Sequence, residues 1–116
     1  MLLKSSGIIL NFEEKIMREI NQHIDQIRLA CDSNNVKSLF AFGSITTDEF
    51  SPKSDIDLIV DIDENDPINY TDYYFNLKFE LEKLLNRPID LLEQKAIRNK
   101  YLKDQIERTK VLIYGK

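Results

Sequence analysis

Two periods of apolar residues run through this chain, and they divide it into helices and strands. Phe12, Ile16, Ile20, Ile24, Ile27 and Cys31 recur at spacings of three and four. That rhythm lays one apolar stripe along a helix over 11–31, with Asn11 and Glu14 forming a capping-box start. Val36 to Phe42 is short and apolar after the turn-like run Asp32-Ser33-Asn34-Asn35, which predicts a strand ending at Gly43-Ser44. Thr46 to Phe50 reads as a short helical turn and 51–54 as a loop. Ile56 to Ile62 has the clearest period of two. Ile56, Leu58, Val60 and Ile62 face one way, and Asp55, Asp57, Ile59 and Asp61 the other. Asp66-Pro67 is an N-cap followed by proline at the first helical position. The helix it opens carries Tyr70, Tyr74, Leu77, Leu81, Leu84 and Leu85 on one face and stops at Asn86-Arg87-Pro88. Ile89 to Leu92 is a short strand, Ala96 to Arg108 a helix and Val111 to Tyr114 a last strand. The class this implies is α/β of the α+β type, a small mixed β-sheet of three to four strands flanked by helices.

Composition fits that picture. With 116 residues, 42% hydrophobic and 31% charged, the chain is expected to be one globular domain over 1–116, with 1–10 as a loosely ordered arm. One cysteine leaves no internal disulfide to form, and no apolar run approaches the ~20 residues of a membrane span, so the expected location is the cytoplasm. The net charge of −4 is unevenly spread. Residues 1–94 hold 9 Lys/Arg against 18 Asp/Glu, whereas 95–116 hold 7 against 2. An acidic body is a poor match for a nucleic acid, while the basic end keeps a local anion site open.

Candidate chemistry gathers in the middle of the chain. Gly43-Ser44 ends a strand where a glycine lets backbone approach a phosphate and a serine hydroxyl adds a hydrogen bond; taken alone it is also a common turn dipeptide. Asp55 and Asp57, two residues apart on a strand, project from one face. Like charges ~6 Å apart repel by about 3 kcal/mol at an effective dielectric near 20, so such a pair is either solvated or held by a cation. Oxygen donors of this kind suit Mg²⁺. Asp90 lies on another apolar strand with Ile89 and Leu91 on the opposite face, either as a third carboxylate beside the first two or as a strand-edge residue. His23 falls off the stripe of the first helix and reads as a surface residue; Cys31 ends the stripe and reads as core. The cluster Tyr70, Tyr73, Tyr74, Phe75 and Phe79 exceeds one helix face, which leaves open an exposed patch for a partner or a helix buried on two sides.

Gly43-Ser44, ten residues, then Asp55-Ile56-Asp57 resembles the spaced signature of the polymerase-β-like nucleotidyltransferases. The surrounding phrases Phe40-Ala41-Phe42, Ser54 through Val60, Arg87-Pro88-Ile89-Asp90-Leu91-Leu92 and Val111-Leu112-Ile113-Tyr114 are similar to the small stand-alone branch, the minimal nucleotidyltransferases (MNT). The resemblance spans nearly all of 12–114. It implies the nucleotidyltransferase fold, with Gly43 and Ser44 against the nucleotide phosphates, Asp55 and Asp57 as ligands of two Mg²⁺ ions, and Asp90 as the third catalytic and metal-binding carboxylate. The stretch after the Gly-Ser departs from many relatives, being acidic Ile45 to Phe50 without their Arg-Gly; Lys53, Arg98 and Lys100 are the candidate replacement cations, and a solvated helix face is the alternative for each.

The function so implied is transfer of AMP from ATP to a hydroxyl with release of pyrophosphate. At 116 residues there is no second domain to hold a small acceptor, which favours a protein acceptor. MNT proteins resemble antitoxins that pair with HEPN-family RNase toxins and add AMP to a toxin tyrosine. The expected partners are therefore ATP and a HEPN-type toxin, with neither nucleic acid nor membrane, and with a homo-oligomer left open. The alternative is a non-catalytic antitoxin that neutralises its partner by occlusion.

Overall fold

The alternation in Ile56–Ile62 becomes an inner strand with two unlike faces. A computed structural model describes residues 18–42 and 56–115. In chain order these form α1 (Ile24–Ser33), β1 (Val36–Phe42), β2 (Ile56–Ile62), α2 (Pro67–Leu85), β3 (Ile89–Glu93), α3 (Lys100–Thr109) and β4 (Val111–Gly115), with a 3₁₀ turn at Gln94–Ala96. The four strands form one mixed sheet in the order β3-β2-β1-β4. β1 is antiparallel to β2 and to β4, while β2 and β3 run parallel. That last pairing requires a crossover, and the 19-residue α2 supplies it.

On one face Leu39, Ala41, Ile56, Leu58, Val60, Ile62, Ile89 and Leu91 meet Ile27, Ala30 and Cys31 of α1 and Leu77, Leu81 and Leu85 of α2 in the main core. On the other, Phe42, Ile59 and Ile106 form a smaller cluster, joined by half-buried Phe40, Leu92, Ile97 and Leu102. The expected facing of β2 therefore holds, and Ile59 is the apolar member of its second face.

Local signals explain most element ends. The Asp66 side chain accepts a hydrogen bond from the Asn69 N–H at 3.2 Å, with Pro67 beginning the helix. Asn86 closes α2 in the left-handed region (φ 53°), so an αL cap terminates the helix ahead of Pro88. The helix expected from Ala96 starts later. Ala96 belongs to the 3₁₀ turn, and the Asn99 side chain caps α3 by accepting from the Leu102 N–H at 2.9 Å. The first helix is broken as well: 18–22 is helical, His23 is a half-buried turn residue, and α1 resumes at Ile24. The expected cap at Asn11 and Glu14, Phe12 and Ile16 of the stripe, the helical turn 46–50 and the loop 51–54 lie outside the described residues. The strands match closely, with β3 and β4 each one residue longer than expected.

Two polar ties hold the outer elements. Arg87, its side chain 7% exposed, pairs with Glu19 and so binds the segment 18–22 to the turn between α2 and β3. The Tyr114 hydroxyl donates to Asp32, joining β4 to the end of α1. Gly115 ends β4 at φ +94°, where a Cβ would lie 2.2 Å from the Lys37 carbonyl oxygen, so glycine is required there.

Burial pushes the Cys31 thiol up to about 12, with the neighbouring Asp32 charge adding to the effect. The reactive thiolate is scarce below that value. Native protein at pH 8 is therefore expected to resist iodoacetamide, and to take up one equivalent only in denaturant; mass spectrometry reads both. Rapid labelling of the folded chain would show that α1 does not pack as described.

Candidate active site

The parallel ladder between β2 and β3 pairs Ile56 with Ile89, Asp57 with Asp90 and Leu58 with Leu91. Adjacent strands lie ~4.8 Å apart, and paired residues on neighbouring strands share a face, so the two carboxylates sit side by side. The antiparallel ladder places Phe42 opposite Asp57 on the other flank. One row of the sheet thus reads Phe42, Asp57, Asp90. Asp57 is half-buried and Asp90 exposed, on the face away from the main core. Gly43, Ser44 and Asp55 lie outside the described residues; in the chain Gly43 follows Phe42 and Asp55 precedes Ile56.

β3 is an edge strand, and α2 fastens it. In a parallel edge strand alternate residues turn their backbone groups outward, where they need partners. The Ile89 N–H donates to Glu82 Oε2 at 3.1 Å, and the Leu91 carbonyl accepts from the Tyr74 hydroxyl at 2.6 Å. Asp90 lies between these two anchors. On the inner side, the Ile56 N–H donates to the Pro88 carbonyl at 3.2 Å. The register that aligns the carboxylates is therefore pinned from both sides of β3.

The same helix contributes charge. Lys78 Nζ donates to Glu82 Oε2 at 2.9 Å. That bond holds the Lys78 ammonium above its usual range, with the Glu82 and Asp90 charges adding to it. Glu82 is lowered in turn, first by Lys78 and then by the Ile89 N–H. The Tyr74 phenol is raised by burial first, with Glu93 and Asp90 adding and Lys78 opposing. The field of Lys78 thus reaches Asp90. Arg98 donates instead to the Lys95 carbonyl at 3.1 Å, and Lys100 is exposed at the start of α3; Lys53 lies outside the described residues.

Paired carboxylates offer oxygen donors that suit a hard, oxygen-seeking cation such as Mg²⁺, so Asp57 and Asp90 fit the metal that the sequence implies. Glu82, Lys78 and the hydroxyl of Tyr74 were not legible as site residues. The i,i+4 spacing of Lys78 and Glu82 marks a helix-surface pair, and only the packing of α2 along β3 turns it toward Asp90.

A family model described as polymerase beta, nucleotidyltransferase matches residues 25–116. "Putative protein adenylyltransferase MJ1379" of Methanocaldococcus jannaschii is 40% identical over 83 residues, covering 72% of this chain and 80% of its own. Among solved structures, a chain of the tri-AMPylated Shewanella oneidensis HEPN toxin in complex with MNT antitoxin superposes with a TM-score of 0.56 at 20% identity, over 83% of this chain and 72% of that one. A toxin–antitoxin structure with AMP-PNP gives 0.59 at 21% identity, over 80% and 73%. Residues 25–116 include the Gly-Ser, the Asp-x-Asp and Asp90: the chain belongs to the polymerase beta nucleotidyltransferase family and is a nucleotidyltransferase by class.

Glu82 provides a direct test of how β3 is held. Glu82→Ala removes the acceptor for Ile89 and the partner of Lys78, and is expected to destabilise the chain by about 1 kcal/mol, the usual net value of a hydrogen bond. The Ile89 amide should exchange faster in hydrogen-exchange NMR, whereas Glu82→Gln keeps an acceptor oxygen and should retain most of its protection. Equal protection in all three proteins would mean that the edge is held by other contacts.

Proposed function

We propose that this nucleotidyltransferase moves AMP from ATP to a protein hydroxyl, and that the acceptor is a HEPN-type RNase toxin which the transfer neutralises. The observation that carries the proposal is the in-register pairing of Asp57 with Asp90, beside the strand end that leads into Gly43-Ser44. The 40% identical relative bearing a protein adenylyltransferase name supports the transferred group, and the MNT–HEPN and AMP-PNP structures of like fold support the partner and the nucleotide.

In this reading Gly43 and Ser44 hold the triphosphate and Asp55, Asp57 and Asp90 hold two Mg²⁺ ions. When bound, such ions would supply neutralisation of phosphate charge. Asp90 accepts the proton of the incoming hydroxyl, whose oxygen forms a bond to the α-phosphorus as the bond to the pyrophosphate oxygen breaks. Pyrophosphate leaves and the acceptor carries a phosphodiester-linked AMP. The clamped edge strand keeps Asp90 in place while an acceptor approaches from the open side of the sheet.

A second reading, neutralisation by occlusion, is favoured by one surface. Ile68, Phe75 and Phe79 lie seven and four residues apart on α2 and are 73%, 51% and 68% exposed. The aromatic cluster is thus divided: Tyr70, Tyr73 and Tyr74 pack on the core, and both phenylalanines face outward. Such a stripe suits a protein contact whether or not transfer takes place.

Two experiments test the proposal. Mg²⁺ or Mn²⁺ is expected to raise the Tm of the wild type, and Asp55→Asn with Asp57→Asn to abolish that rise; an undiminished rise would exclude these residues as ligands. With labelled ATP and the partner toxin, Asp90→Asn should keep Mg-ATP affinity within a few-fold yet lower AMP transfer by roughly 100-fold or more, the range for losing a positioned base. Absence of transfer by the wild type, together with unimpaired toxin neutralisation by Asp90→Asn, would establish occlusion instead.

A further inference from the structure

The row of side chains next to the carboxylates is apolar. Phe40, Ile59 and Leu92 are partners across β1, β2 and β3, two residues along from Phe42, Asp57 and Asp90 and on the same face. α3 crosses this face, and between it and the sheet lies a cavity of about 240 Å³ walled by Phe40, Ile59, Ile97 and Ile106. Its polar lining is Gln94, Lys103, Glu107 and Lys110. Lys110 Nζ stands 4.6 Å from the centre of the Phe40 ring and 3.1 Å from the Glu107 carboxylate, so it links the aromatic wall to the acidic rim.

We infer that this cavity seats the purine base of the nucleoside triphosphate, packed against Phe40 and Ile59, with Glu107 and Gln94 reading its exocyclic amino edge. The inference rests on the nucleotide reading proposed above. Three observations carry it. The cavity is smaller than the ~300–1,000 Å³ of pockets for drug-sized ligands, so it suits one part of a nucleotide rather than the whole. Two residues of strand separate Asp57 from Ile59, ~6.6 Å, a step that one ribose spans between an α-phosphate and its base. The lining combines an aromatic ring and branched aliphatics with hydrogen-bond donors on Lys103 and Lys110, an acceptor on Glu107 and both on Gln94. A flat heterocycle with a polar edge needs that combination. A carboxylate at the rim accepts from the amino group of adenine and disfavours a carbonyl in its place.

Calorimetric titration of the full chain tests this with three probes: Mg-ATP, Mg-ITP, which carries a carbonyl where ATP has its amino group, and Mg-tripolyphosphate, which has no base. Wild type is expected to bind ATP about ten-fold or more tightly than tripolyphosphate, the yield of one stacked base, and ATP more tightly than ITP. Lys103→Trp grows a ring into the cavity from an exposed helix position. It should erase the advantage of ATP and leave tripolyphosphate affinity unchanged. Glu107→Ala, at a side chain 67% exposed, should bring ATP and ITP together. Equal affinity of wild type for ATP and tripolyphosphate overturns the base site alone, as does a parallel loss of both in Lys103→Trp. A wild type that binds none of the three probes overturns the nucleotide reading itself, and the inference with it.

Discussion

The in-register parallel pairing of β2 with β3 is the constraint on which the site depends. A slip of one residue would turn Asp90 toward the main core and Ile89 toward water, because side chains on a strand alternate faces. Ile89 and Leu91, each 3% exposed, hold that register from the core side, since both would have to leave it together. Tyr74 and Glu82 hold it from the edge by satisfying the outward carbonyl of Leu91 and the outward N–H of Ile89. Like charges on neighbouring strands resist being brought together. The stabilisation that opposes them comes from Leu77, Leu81 and Leu85 packing beneath, and burial of one such side chain contributes about 1.5–3 kcal/mol. The carboxylates are thus positioned by apolar residues that never touch them.

The two faces divide the work. Among the described residues, the one covered by α1 and α2 contains most of the buried ones, and the other has only Phe42, Ile59 and Ile106 at the centre of its cluster. Among the described residues, α3 covers the middle of that face through Ile106 and Leu102. Asp90 is exposed and Asp57 half-buried, so of the two carboxylates Asp57 sits closer to the fold.

Much of this was legible in the residue pattern. The period of two in Ile56–Ile62 gave both faces of β2 correctly, and Asp66-Pro67 marked the start of α2 because capping is a local effect of side chain on backbone. The start of α3 was misplaced for the same kind of reason: Asn99 was a cap within reach of inspection, but Ala96 extended the helical pattern and drew the boundary early. The break at His23 left no mark in the spacing of Ile20, Ile24 and Ile27. Of the candidate site, the spaced motif pointed to Asp57 and the phrase around Asp90 to that residue, while their adjacency was one of two readings left open, because it is a property of strand order. Glu82 and Tyr74 were hidden more deeply. A tyrosine on an apolar helix face reads as core, and it is core by its ring; its hydroxyl gains a second task only when β3 passes it.

Charge distribution completes the account. Along the chain the positive excess of 95–116 looks like a basic tail on an acidic body. In the fold that segment is not a tail, because α3 crosses the sheet face that carries Asp57, Asp61 and Asp90. Lys95 Nζ lies 3.9 Å from Asp61 and donates to the Ile62 carbonyl at 3.2 Å, while Lys103 and Lys110 line the cavity beyond Ile59. A separation of charge in sequence thus becomes a juxtaposition in space, with Asp57 and Asp90 at one end of the face and Lys95, paired with Asp61, and the cavity lysines toward the other. On the proposed function, a metal-bound triphosphate would use the acidic end for its cations and the less negative end for the remainder of the molecule. What brings the basic segment to that face is the crossing of α3, which packs Ile106 against Phe42 and Ile59.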